Sequence, residues 1–442
     1  SLILVRTHIG YGSPNKQDSF ESHGSPLGVD EVKLTKQNLG WPSDAPFYVP
    51  DEALKHFRKA VDRGKKYEAA WNSAFAAYEK EFPGPAEEFR QLMRGELPPD
   101  WASDVPVFPA DAKGVATRTA SGKVLNAIAP RIPSLIGGSA DLNPSTQTVI
   151  KGSGDFQNPD YVAQIRQGTS GGDWGYQGRN LHFGVREHAM GSIANGLAAH
   201  GGIIPYTATF FVFSDYMRPP IRLASLMELG VVFVFTHDSV GVGEDGPTHQ
   251  PVEHLAALRA IPSLVVIRPC DANETAEAWR IAIETRDRPV ALVLTRQGVP
   301  TLDRTVYGPA DGLRRGAYVL ADGQGEKLDL ILIATGSEVS LITAAQQRLL
   351  EKGVSVRTVS MPSWELFDAQ PQQYRDEVLP PSVTARLAVE AGISQGWCKY
   401  LGAGGQMMGL DHFGASAPGD VVFAKFGFTV DDVVNRALQL LG

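Results

Sequence analysis

Short apolar runs, each closed by glycine, proline or a charged turn, recur through the middle of the chain at 132–136, 181–185, 231–235, 264–267 and 290–295. Runs of that length between turn signals read as buried strands. Helical spacing fills the intervals, as in Met190, Ile193, Ala194 and Leu197, and again over 273–284. After a turn-rich linker at 302–312 the alternation resumes, with strands at 328–334 and 354–359 and a helix at 338–351. Further strands are expected at 387–389 and 421–423, and an amphipathic helix at 431–441. Strands alternating with helices predict mostly parallel sheets covered on both faces. The fold class is therefore α/β, with two doubly wound domains.

The first hundred residues read differently. The apolar stretch 2–5 predicts a buried strand running into the glycine-rich 7–13. Ala53, Leu54, Phe57, Ala60 and Val61, then Trp71, Phe75 and Tyr78, mark a solvated helical linker that packs on one face, with Trp71 as a core or staple residue and not a ligand platform. The expected divisions are 1–50, 51–112, 113–302 and 313–442. No fixed-period repeat is present, and 168–180 reads as a surface loop.

Bulk properties narrow the class. A chain of 442 residues holds about two to four domains. A net charge of -8 argues against a general nucleic-acid binder. No stretch reaches the roughly 20 apolar residues of a membrane helix, and the first residues do not read as a signal peptide. Cys270 and Cys398 show no metal-ligand or disulfide spacing, so both are expected to be buried, inert thiols in a reducing, cytoplasmic compartment.

Chemistry concentrates beyond one strand. Gly243-Glu244-Asp245-Gly246-Pro247-Thr248-His249 follows Thr236-His237-Asp238-Ser239, just downstream of 231–235. Open α/β sheets bind ligands beyond the carboxyl ends of their strands, so this cluster points to an enzyme. Glu187, at a strand-to-helix junction, is either a carboxylate complementing a helix dipole or a buried group exchanging a proton with a ring nitrogen. Phe210, Phe213 and Tyr216 form either a core stripe or a wall for a flat heterocycle. Arg118 and Arg296 are surface ion pairs or phosphate clamps, and Ser145 is a turn hydroxyl. His23, His237 and His249 taken singly are structural histidines; taken together, at loop positions, they point to proton transfer or hydroxyl recognition. Their spacing does not fit a zinc site, so no metal ligands are assigned among them.

These motifs resemble transketolase, a thiamine-diphosphate-dependent family. The likeness rests on 7–13, His23-Gly24-Ser25-Pro26-Leu27-Gly28, Gly138 to Ser145, Arg186 to Gly191, the 243–249 cluster, Leu294 to Gln297 and Phe413 to Pro418. It implies a transferase that moves a two-carbon ketol unit from a ketose phosphate to an aldose phosphate through a carbanion on the cofactor, in the pentose phosphate pathway. By resemblance Glu187 bonds the cofactor's pyrimidine, and Phe210, Phe213 and Tyr216 pack on it. Asp141 and His23 also contact the cofactor. Arg118, Ser145, His237 and Arg296 hold the sugar phosphate, while His23, Asp245 and His249 meet substrate hydroxyls and the carbonyl. Glu187, His23, His237 and His249 carry the catalytic roles. A homodimer is implied, acting on sugar phosphates, with thiamine diphosphate and Mg²⁺ (or Ca²⁺) as cofactors. The family's Gly-Asp-Gly metal motif is not found, since Gly154-Asp155 and Gly419-Asp420 lack its context. The expectation is therefore a truncated chain that lacks most of the pyrophosphate-binding domain, keeps only a remnant strand at 1–50, leaves the cofactor unbound and is inactive alone. The alternatives are a related thiamine enzyme, such as a 1-deoxyxylulose-5-phosphate synthase or a dehydrogenase β subunit, and a non-catalytic interaction module.

Overall fold

Both stretches of alternation fold into sheets, in a computed structural model that describes residues 3–42, 45–160, 173–323 and 327–442. The chain divides into two units, 1–87 and 88–442. Both sheets lie in the second. At the middle of the eight-stranded sheet, Val232–Thr236 runs between Ile204–Phe210 and Val290–Leu294. Leu135–Ser139, Asn180–His182 and two short strands extend it one way, and Val265–Ile267 the other; every pairing is parallel. The apolar run explains this placement. Val232 and Val234 face a cluster with Val124, Leu125 and Ile128 of the helix Thr117–Ile128 and Trp279 of Ala272–Glu284. Phe233 and Phe235 face the opposite cluster, with Met190 of Glu187–His200 and Met217 and Ile221 of Ser214–Leu226. A strand covered on both faces has no room for the polar alternation of a half-exposed one.

The second sheet repeats the logic. Its order is Tyr318–Ala321, Val356–Ser360, Leu330–Ala334, Arg386–Val389 and Gln406–Met408, with only the first strand antiparallel. Leu330 and Leu332 pack with Ile342, Leu349, Val433 and Ala437 of the helices Val339–Leu350 and Val430–Leu441. Ile331 and Ile333 pack with Phe367, Trp397 and Tyr400 on the other side. The α/β class with mostly parallel sheets is therefore what forms.

Several local expectations are corrected. Residues 421–423 lie in the helix Gly419–Lys425, not a strand. Pro418 precedes it and Asp420 sits in its first turn, both favourable at a helix start. Ile3, Leu4 and Val5 are exposed and outside any strand; Leu2 lies outside the described residues. In the unit 1–87, the helix Asp51–Glu81 forms as the spacing predicts. Trp71 is 58% exposed and stacks on Phe75 at 5.9 Å, so it is not a core residue of that unit. Cys270 is buried but Cys398 is exposed. Of the loop at 168–180, residues 168–172 lie outside the described residues, and Trp174–Gly175 is a short strand.

The two sheets of 88–442 meet across buried ion pairs. Arg268, fully buried, leaves the strand Val265–Ile267 and donates from Nε to Asp238 Oδ2 at 2.9 Å, with Nη2 in ion-pair contact with the same oxygen at 2.8 Å. Its Nη1 donates to Thr335 Oγ1 at 2.9 Å and to Glu338, both from the C-terminal sheet's side. Nearby, Arg259 makes a two-pronged pair with Glu390 at 2.8 Å on each prong and lies 3.9 Å from the Trp364 ring. Glu390 also accepts from Thr335 Oγ1 at 2.6 Å and Trp397 Nε1 at 3.0 Å. Burial pushes the Glu390 carboxyl up, but Arg259 outweighs it and holds the group at about 2, below the ordinary 4.5. A lowered carboxylate stabilises above about pH 4.5 and loses that contribution as the pH falls toward 2, a term of about 3 kcal/mol. Glu390→Gln leaves a buried guanidinium without its charge partner. It is expected to lower the first thermal transition at pH 7 by on the order of 5–10 °C. The gap should narrow as the pH drops below 4.5. Scanning calorimetry at pH 7 and pH 4 measures both, and equal transitions at pH 7 would exclude the pair as a stabilising element.

Candidate active site

The polar residues singled out in the sequence between 118 and 296 collect beyond the carboxyl ends of the first sheet. Asp141 follows Leu135–Ser139, Phe210 closes Ile204–Phe210, His237 follows Val232–Thr236 and Arg296 follows Val290–Leu294. Two of them carry backbone strain, with Asp141 at φ 63° and His237 at φ 65°. Non-glycine residues in the left-handed region are held there by their surroundings and cluster at functional sites.

Glu187 opens the helix Glu187–His200 and is buried. Thr209 donates to its Oε1 at a long 3.3 Å. The next residue, Phe210, stacks on Phe213 at 5.9 Å with 9° between planes and lies 3.7 Å from the His237 ring. Phe213 also approaches Tyr216 at 6.0 Å and meets His249 edge-on at 5.7 Å. Phe211, the fully buried residue between them, is the core member of the group. A carboxylate with acceptor capacity and an aromatic wall thus stand one residue apart, which fits a flat, nitrogen-bearing ring. Phe210 and Phe213 form a stacked pair, whereas Tyr216 is largely exposed.

Beside this wall, positive groups converge. Arg118, in the first turn of Thr117–Ile128, donates to the Ser145 carbonyl at 2.7 Å, while its Nε is buried without a hydrogen-bond partner. Burial and Arg296 lower its guanidinium. Burial, then the charges of Arg118, Arg296 and His249, push the His237 imidazole down to about 3 from 6.5. Thr236 Oγ1 and His237 Nδ1 lie 2.8 Å apart. Every charge acting on His237 is a cation, so the arrangement repels itself and is complementary to an anion.

The 243–249 loop is buttressed from the C-terminal domain, a role the sequence reading missed. Gln250 Nε2 donates to the Gly243 and Ala415 carbonyls at 2.8 and 2.9 Å, and Ser416 Oγ donates to the Glu244 carbonyl at 2.5 Å. Gly414 lets the chain pass close to this amide, since a Cβ there would fall 1.7 Å from Gln250 Oε1 and displace the Gln250 side chain. Asp245 is exposed and His249 half-buried, bonded at Nδ1 to Thr248 Oγ1 at 2.9 Å. Arg296 Nη1 donates to the Val242 carbonyl at 3.3 Å, tying the start of the loop to the cation cluster. His23 lies in the other unit, exposed, just after the turn Phe20–Ser22. Away from the strand ends, ligand-type atoms of Asp215, Glu253 and His254 converge within 4.8 Å. The two carboxylates approach different ring nitrogens, Nε2 at 3.2 Å and Nδ1 at 3.8 Å, which pairs an imidazole between acids.

Residues 113–301 match the transketolase pyrimidine binding domain and 316–429 the transketolase-like C-terminal domain. A plant chloroplastic transketolase from Craterostigma plantagineum is 47% identical over the whole of this chain and 82% of its own length. The chain belongs to the transketolase family. Transketolase from Geobacillus stearothermophilus is 53% identical, again over the whole chain, and this chain spans 64% of that relative's length. A Pichia stipitis transketolase crystallised with xylulose 5-phosphate superposes with a TM-score of 0.89 at 40% identity, covering 98% of this chain and 61% of the other. A split-gene transketolase, described as an inactive β4 tetramer, has a TM-score of 0.56 at 26% identity over 74% of this chain and 98% of its own. The expectation that most of the pyrophosphate-binding domain is lacking is corrected: residues 1–98 match the transketolase thiamine diphosphate binding domain. No helix among the described residues is long and apolar enough to cross a membrane.

The geometry makes a direct prediction about His237. Its ring should stay neutral in anion-free protein down to about pH 4, because its pKa sits near 3. Saturating inorganic phosphate should move that pKa upward by replacing repulsion with attraction. Imidazole NMR of His237 against pH checks both; titration near 6.5 without phosphate would refute the cation cluster.

Proposed function

We propose that this protein is a ketol transferase of the transketolase type, moving a two-carbon unit between a ketose phosphate and an aldose phosphate. The observation that carries the reading is Glu187 and the Phe210–Phe213 stack standing directly beside the Arg118, Arg296, His237 and His249 cluster. One half suits a heterocycle and the other a phosphate monoester, and Phe210 touches both. Thiamine diphosphate, when bound, supplies a carbanion that accepts and releases the ketol unit.

The chain's own residues take the remaining tasks. Glu187 Oε holds a proton shared with a pyrimidine nitrogen, in a buried position where that exchange is sheltered from water. Phe210 and Phe213 hold the ring and exclude solvent. Arg118, Arg296 and neutral His237 bind the phosphate, with Ser145 fixing Arg118 through its carbonyl. Asp245 and His249, on the braced loop, face the sugar hydroxyls. Asp141 contributes to the cofactor side, and His23 is assigned to the carbonyl and diphosphate by resemblance. A bound Mg²⁺ (or Ca²⁺), a homodimer and a cytoplasmic location belong to the same proposal.

The test is ketol transfer from xylulose 5-phosphate to ribose 5-phosphate by protein loaded with thiamine diphosphate and Mg²⁺. Glu187→Ala should lower kcat about 10²- to 10⁴-fold. Arg296→Ala should chiefly raise KM for phosphorylated sugars, by about tenfold, with kcat little changed. Near-parental turnover by Glu187→Ala would overturn the proton role. Turnover of pyruvate instead would favour the deoxyxylulose-phosphate synthase alternative.

A further inference from the structure

We propose that Arg268 is a positioning residue for the anion site, through which the C-terminal domain holds His237 and keeps its carboxylate neighbour Asp238 turned away from the cations. The inference deepens the ketol-transfer reading and rests on it for the identity of the phosphate ligand.

His237 occupies the left-handed region at φ 65°, a conformation that is strained for a residue bearing a β-carbon. It persists only if both flanks are fixed. On the N-terminal side Thr236 is locked in the sheet, paired with Phe210 and Leu294. On the C-terminal side Asp238 is buried, and its Oδ2 accepts from Nε of Arg268 and is in ion-pair contact with Nη2. The rest of that planar fork is spent on the other domain. Nη1 donates to Thr335 Oγ1 at 2.9 Å and to the Thr335 carbonyl at 3.1 Å, and Nη1 and Nη2 both reach Glu338. Glu338 is anchored in turn by the backbone N–H of Ala391 at 3.0 Å. A guanidinium with five donors in one plane can bridge two domains in this way; an ammonium cannot hold the same register.

The electrostatic consequence follows from position. Asp238 is adjacent in sequence to a histidine whose charged neighbours are Arg118, Arg296 and His249. A free carboxylate there would neutralise the cluster and compete with a substrate phosphate. Arg268 consumes that charge on the far side, so the positive potential stays available to a ligand. Loosening Arg268 from the C-terminal side should therefore weaken phosphate recognition without touching any group of the anion site itself.

Glu338→Gln and the milder Thr335→Val, both outside the site, test this in the loaded enzyme and in calorimetry with inorganic phosphate. Each variant is expected to raise KM for xylulose 5-phosphate and Kd for inorganic phosphate about five- to tenfold. KM for xylulose, the same ketose without its phosphate, should stay within twofold. A purely structural role would lower the melting transition without this split. KM and phosphate Kd within twofold of the parent in folded Thr335→Val, and in Glu338→Gln where it folds, overturn the proposal. If the parent transfers no ketol unit, the function reading fails, while the phosphate Kd values still decide the role of Arg268.

Discussion

A guanidinium buried between two carboxylates from different domains is the constraint on which the rest of the 88–442 unit depends. Taking Arg268, Asp238 and Glu338 out of water costs several kcal/mol per ion, recovered only when the geometry is good and the remaining donors are satisfied. Here the donors of Arg268 are spent on Asp238, Thr335 and Glu338. The arrangement is unforgiving: withdraw one domain, and a charge is stranded in the interior. The two sheets are thereby bound to a single relative placement, at a seam where Val240, Val252 and Cys270 of the first domain also pack into the core of the second sheet. Hydrophobic contact, which is non-directional, would not have specified it.

That placement matters because the candidate site stands on strand ends and loops, the least self-supporting parts of an α/β fold. Asp141 and His237 are strained, and the 243–249 loop has its carbonyls met by Gln250 and Ser416 rather than by a sheet. The loop's rigidity is borrowed from residues 415–416, some 170 positions away in sequence. The aromatic wall differs, since Phe210 and Phe213 are fixed by the end of a central strand. The site thus combines a rigid surface for a ring with a braced loop for a polar ligand.

The strands of both sheets were legible because burial on two faces leaves continuous apolar runs, as in Val232–Phe235 and Leu330–Ala334. Their ends located Glu187, Phe210, His237 and Arg296, so the main candidates could be named from pattern and family likeness. The failures have physical causes. Val421-Val422-Phe423 has strand-like composition, but Pro418 and Asp420 start a helix there, and only Val422 of that helix is buried. Residues 3–5 are apolar yet exposed, so hydrophobicity alone predicted burial that the unit 1–87 does not provide. The seam was invisible because its partners are 30 to 131 residues apart. Arg268 stands beside Pro269 at a strand end, and nothing local distinguishes a bridging arginine from a surface one. The likeness of 1–98 to the thiamine diphosphate binding domain resides in the segment as a whole, which carries no Gly-Asp-Gly run of its own.

The cation cluster and the buried seam are two sides of one electrostatic design. Arg118 and Arg296 repel each other and hold the His237 ring neutral, and a half-buried pair of like charges lowers the stability of the ligand-free fold. A site in that condition gains on binding an anion what it loses in its absence, because a ligand that binds the native state stabilises it. The seam maintains that repulsion by keeping Asp238 committed to Arg268 instead of letting it collapse onto the cations. Had Asp238 been free, the fold would be more comfortable and the site weaker. The position next to His237 therefore has to hold a carboxylate that is present for the architecture and absent, electrically, from the site.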